Sequence, residues 1–180
     1  LREFENLFDG GDEEIYFLKG QCHEAMNEYK MARYYYKKSL HCNPNYAEAY
    51  FRIGETYKGE DNWIQARQFY IKASELDKEE YDFALASAES AQVLNMAEEA
   101  IETGEKALQL ASFRFEAYLL MSRVFLSVGD AETAIEILEK GLSLCKSTIE
   151  IRYARCAVTY FIGKKQEAIV QLLMLLAEAP

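Results

Sequence analysis

Two histidine–cysteine neighbours, Cys22–His23 and His41–Cys42, are the side chains of this 180-residue chain with the most obvious capacity for chemistry. Thiolate and imidazole are common zinc ligands, but a structural site needs about four donors converging in tetrahedral geometry. Adjacent residues on a helix point ~100° apart, so neither pair aims both donors at one ion. Ordinary packing is the expectation, and no metal or other cofactor is predicted. The neighbouring acids Glu79–Glu80 and Glu98–Glu99 read as solvated helix ends rather than a facing acid–base pair. Glycine-rich phosphate loops, His-Glu-x-x-His and Cys-x-x-Cys do not occur. The chain is read as a non-enzyme.

Composition narrows the partners. The formal charge is −10, which repels the phosphate backbone of nucleic acid and an anionic lipid surface alike. No apolar run approaches the ~20 residues that span a bilayer. Nucleic acid and membrane are therefore excluded as partners. The four cysteines are scattered through the apolar pattern as small buried side chains would be, which points to a reducing, cytoplasmic setting.

Only two prolines and nine glycines occur, and half of the residues are hydrophobic, so the elements that would position any site are helices. Their arrangement follows from a repeat of 34 residues starting at Glu13. One column of that repeat is Ala32, Ala66, Ala100, Ala134 and Ala168. A second is Gly20, Gly54, Ala88, Ser122 and Cys156, all small. A third is Tyr36, Tyr70, Gly104, Leu138 and Leu172, large in four rows of five. Within each row two apolar stripes at helical spacing flank a short break, such as Gly59–Asn62, Gly129–Asp130 or Gly163. Asn45 with Glu48, and Ser147 with Glu150, have the spacing of capping boxes. A helix of about 13 residues is too short to stand alone, so each pair must bury its apolar face against the next.

These columns resemble the tetratricopeptide repeat. The second row carries the pattern most fully, in Tyr50, Ile53, Gly54, Tyr57, Ala66, Tyr70 and Ala73, and the first has Tyr16, Gly20, Ala32, Tyr36 and Pro44. The resemblance implies an all-α fold, a right-handed α-solenoid of five helix-turn-helix repeats at 13–46, 47–80, 81–114, 115–148 and 149–180. Residues 1–12 read as a leader or the tail of a preceding helix. The third row has Ala84, Ser87, Ala91 and Gly104 where the family has larger side chains, which makes it the expected soft segment.

In the family, first helices line a concave face that receives a protein or peptide segment. Here that implies an apolar ladder of Phe17, Phe51, Leu85, Leu119 and Tyr153, with Gln21, Glu55, Glu89 and Arg123 a turn away. Glu48, Asp82 and Glu116 edge it with negative charge. Acids in a first helical turn also stabilise the macrodipole, and the ladder also suits packing against adjacent helices. Glu55 and Glu89 have neither explanation. The expected partner is a basic segment with apolar anchors. The Lys, Asn and Arg clamp that family members use for a carboxylate tail is replaced by Phe17, Gln21, Arg52, Asp82 and Ala86, which supply one cation and argue against such a ligand. Two alternatives remain: a homodimer through the apolar Ile169–Leu176 helix, or a substrate-recruiting segment of a larger enzyme.

Overall fold

The computed structural model describes residues 13–145 and 149–177, and within them the chain is helical without strands. First helices are α1 (Glu13–Ala25), α3 (Ala47–Lys58), α5 (Tyr81–Val93), α7 (Phe115–Ser127) and α9 (Ile149–Phe161). Second helices are α2 (Tyr29–Cys42), α4 (Trp63–Leu76), α6 (Ala97–Leu110), α8 (Ala131–Leu144) and α10 (Lys165–Ala177). This is an all-α helical-repeat solenoid fold. It divides into two compact units, Leu1–Ser90 and Ala91–Pro180, described separately below. The segment 1–12, Ser147 and Pro180 lie outside the described residues.

The turn inside each pair repeats one backbone pattern. Asn27, Asp61, Asn95, Gly129 and Gly163 all have positive φ, between 58° and 88°. Asparagine, aspartate and glycine are the residues that enter this left-handed region most readily. The next residue then donates its backbone N–H back five positions, from Glu28 to His23, Asn62 to Tyr57, Met96 to Ala91, Asp130 to Phe125 and Lys164 to Thr159. That is a Schellman ending, which satisfies carbonyls the helix leaves open. Second helices start at once. Asn62 caps α4 by accepting from Gln65 N at 3.2 Å, and Asp130 caps α8 by accepting from Thr133 N at 3.0 Å. The capping box expected at Asn45 and Glu48 does not form. Helix α3 begins at Ala47 after Tyr46, without a side-chain cap, and Glu48 turns to Arg52 instead.

In unit 1 the packing rests on close approach. The five-alanine column is buried throughout the chain, and Gly20 and Gly54 face the rings of Tyr36 and Tyr70. A Cβ added to Gly54 would sit 2.5 Å from Tyr70 Cε1. Phe17 joins the seam between α2 and α3, its ring 5.4 Å from Tyr36 and 4.9 Å from Tyr46. Phe51 does the same between α4 and α5, 5.7 Å from Tyr70 and 5.0 Å from Phe83. Arg33 is buried beside it all, donating to Thr56 and Glu60 and stacking 4.3 Å over Tyr57.

Unit 2 uses the same seams with different volumes. Tyr118, Leu138, Ile151 and Val158 form one core cluster, and Ala91, Ala100 and Val124 another. Gly104 occupies the column that holds tyrosine in unit 1. The volume it lacks is taken by Met121 of α7, whose sulfur lies where a Gly104 side chain would go. The shortfall inferred for the third repeat from Gly104 is thus made good by a residue of the fourth.

Large and small side chains therefore trade off across the repeats: Gly with Tyr in the first two rows, Ser122 with Leu138 and Cys156 with Leu172 in the last two. Gly54→Ser is expected to destabilise the protein by about 1–3 kcal/mol through overpacking. Adding Tyr70→Leu, the fourth row's combination, is expected to return roughly half of that loss. Urea unfolding of the single and double variants measures both. Equal or greater loss in the double variant would mean that the two positions do not share one volume.

Candidate functional site

The first helices of unit 1 carry an open polar cleft of about 530 Å³. Gln21 and Glu24 of α1, Asn27 and Tyr29 of the following turn and helix, and Arg52, Glu55 and Lys58 of α3 line it. The two buried tyrosines reach the same surface from beneath: Tyr36 donates its hydroxyl to Glu24, and Tyr70 donates to Glu55 Oε1 at 2.5 Å.

Charge in the cleft is unevenly paired. Arg52 Nε lies 2.8 Å from Glu48, and Lys58 Nζ lies 2.6 Å from Glu89. Burial works against the Arg52 charge, but Glu48, Glu24 and Tyr36 outweigh it and hold the guanidinium above its ordinary value. Glu24 and Glu55 accept from neutral hydroxyls, and neither takes part in a described salt bridge. Four carboxylates thus face two cations. The surplus is negative.

Of the residues singled out from the sequence, Gln21 and Glu55 line this cleft, and Glu48 and Glu89 border it through their ion pairs. Glu55 and Glu89, which had no structural explanation in the sequence, have one here: each holds a partner across a helix seam. Phe17 is buried, at 7% exposure, and Phe51 is half-buried, so these rungs fill seams between helices. Leu85 is half-buried and Asp82 exposed. In unit 2, Leu119 packs on the core cluster and Glu116 sits 3.3 Å from Arg114, while Arg123 and Tyr153 are exposed. Glu24, Arg52 and Lys58 were not among the expected site residues. Glu24 and Lys58 share one column of the repeat, three positions beyond Gln21 and Glu55, so helical i, i+3 spacing pointed to them.

His23 is engaged elsewhere: Nδ1 lies 2.6 Å from Glu28, and its ring stacks on Tyr35 at 5.1 Å. Among the described residues no group of three or more His, Cys, Asp or Glu side chains gathers around a metal position. No described helix is long and apolar enough to cross a membrane.

Family models described as tetratricopeptide repeat match residues 13–46, 35–68 and 115–148, together half of the chain. The chain belongs to the tetratricopeptide-repeat family. No curated protein matches it in sequence. Among solved structures, a MamA protein is 23% identical with a TM-score of 0.81, covering 92% of this chain and 90% of its own. MamA from Desulfovibrio magneticus RS-1, residues 41 to the end, is 15% identical with a TM-score of 0.83, covering 93% and 95%. YrrB, described as a tetratricopeptide-repeat protein with an unusual peptide-binding site, is 17% identical with a TM-score of 0.76, covering 94% and 87%. At these identities the likeness is one of fold. Proteins of this repeat fold generally mediate protein–protein interactions.

The buried hydroxyls give this repeat protein a distinctive alkaline limit. Burial first, and then the hydrogen bonds to Glu24 and Glu55, push Tyr36 and Tyr70 well above the ordinary 10.0. Unfolded, both ionise near that value; folded, both keep their protons. Stability is therefore complete below pH 10 and falls as pH rises beyond it, by about 1.4 kcal/mol per pH unit for each proton retained. Urea midpoints measured between pH 9 and 12 are expected to fall more steeply in the parent than in a Tyr36→Phe, Tyr70→Phe variant. Parallel slopes would contradict the assignment.

Proposed function

We propose that the chain is a non-catalytic adaptor that holds a segment of another protein against the first helices of its repeats. The observation that carries this reading is the unit 1 cleft with its surplus of carboxylates. Arg52 and Lys58 are ion-paired with Glu48 and Glu89 at the cleft's border, so the charges of Glu24 and Glu55 are offset only in part within the cleft and favour a cation from outside. Ala25 and the Tyr29 ring in the cleft lining offer an apolar edge for an anchor. A basic segment with such an anchor suits both features, and the overall charge of −10 steers it in. YrrB, described as having an unusual peptide-binding site, lends the reading a precedent of fold. The four free cysteines suit a reducing cytoplasm.

Charge reversal at Glu55 would disturb Tyr70, so the better variant is Glu24→Gln with Glu55→Gln, whose amide oxygens still accept from the tyrosines. Fluorescence anisotropy with labelled twelve-residue peptides, carrying two lysines and a leucine or their glutamate counterparts, provides the test. Basic peptides are expected to bind at roughly micromolar levels and to lose about tenfold on the double substitution, with the loss shrinking in high salt. Equal binding of basic and acidic peptides, or an unaffected variant, would refute the proposal.

A further inference from the structure

The outward faces of the second helices change sign along the chain. On α2, Lys30, Tyr34 and Lys37 stand at i, i+4 and i+7, one exposed stripe of the helix. The helix holds four cations, Lys30, Arg33, Lys37 and Lys38, and no acid. Tyr34 is 49% exposed, with Lys38 Nζ 5.0 Å over its ring. No described salt bridge includes Lys30 or Lys37.

Two periods on, the same columns hold Glu98, Glu102 and Glu105 of α6. Three periods on, they hold Glu132, Glu136 and Glu139 of α8. These glutamates are exposed, and none joins a described salt bridge. The columns are open in the interior of the array too. In unit 1, α4 lies between α3 and α5 in the chain, yet Ile64 and Gln68 at these positions are exposed. In unit 2, α8 has α6 and α7 before it and α9 and α10 after it, and its three glutamates are exposed. The exposure is thus a property of the repeat, wherever the repeat stands in the chain.

We infer that the basic stripe of α2 docks on the acidic stripe of unit 2 in a second copy of this chain. Charge complementarity and register carry the assignment. Lys30 and Lys37 are two helical turns apart, about 10 Å, and so are Glu98 and Glu105, and Glu132 and Glu139. Two helices laid side by side therefore pair both lysines at once, and the Tyr34 hydroxyl donates to the glutamate between them. The two patches differ, so the contact is heterologous, and each copy keeps one open patch of each sign until the assembly closes. The stripe is separate from the cleft of α1 and α3 and does not depend on what that cleft binds.

Sedimentation equilibrium of the chain, from about 10 μM to about 1 mM, provides the test. At about 0.1 M salt the −10 on each copy is screened beyond ~10 Å, and exposed ion pairs are expected to give association at roughly 0.1–1 mM. Lys30→Glu with Lys37→Glu should weaken it at least about tenfold. So should Glu98→Lys, Glu105→Lys, Glu132→Lys and Glu139→Lys together. All six positions are exposed, and circular dichroism confirms that each variant keeps its fold. An equimolar mixture of the two variants should recover the association of the parent, because their reversed stripes complement each other. A parent that stays monomeric, variants that associate like the parent, or a mixture that stays monomeric would each overturn the inference.

Discussion

At several positions in this fold a large side chain presses so closely on a neighbouring helix backbone that the residue there has no room for a side chain of its own. At Gly20 and Gly54 the facing atoms are tyrosine rings, and at Gly141 they belong to Tyr118 and Ile151. Dense packing of this kind tolerates neither a void nor an extra methyl group. The repeats solve the constraint in different currencies of volume, Gly against Tyr, Ser against Leu, or Gly with a methionine from the next repeat. What stays constant is the alanine beside them, buried in every row. In the first two repeats the column pattern is thus a record of one steric condition met twice.

That condition reaches the surface in unit 1. A tyrosine pressed against glycine has its hydroxyl at the far edge of the seam, where the first helices face outwards. Glu24 and Glu55 accept those hydroxyls, so the same carboxylates close the core and present charge to solvent. A neutral donor leaves their charge uncancelled. Neutral hydrogen bonding of buried groups is the ordinary requirement of a folded interior. Here it also leaves carboxylate charge on the surface of the cleft.

Much of the fold was legible because the repeat is free of insertions. Helix starts recur at fixed spacing, and the alanine, glycine and tyrosine columns mark buried positions directly. The turn was half read: Gly129 and Gly163 announce themselves, whereas Asn27, Asp61 and Asn95 adopt the same left-handed backbone with residues that also serve many other roles. The box at Asn45 misled because its spacing is right but the helix starts one residue too late for Asn45 to cap it, and Glu48 found a stronger partner in Arg52. Site residues were harder. A half-buried aromatic on a first helix looks the same in sequence whether it faces a groove or a neighbouring helix, and Phe17 and Phe51 face helices. Partners such as Tyr70 for Glu55 and Lys58 for Glu89 cross helix seams, and periodicity alone does not name them.

Excision within unit 1 tests most directly whether the 34-residue pair is the structural unit. Residues 47–80 are deleted in one variant and residues 63–79, about half a period, in another. Circular dichroism and urea unfolding are then compared with the parent. The full-period deletion is expected to keep helicity per residue and a cooperative transition, because α5 meets on α2 the same kind of seam it loses on α4. The half-period deletion should lose both. If both deletions collapse alike, or both survive alike, the interchangeability of the hairpins is contradicted.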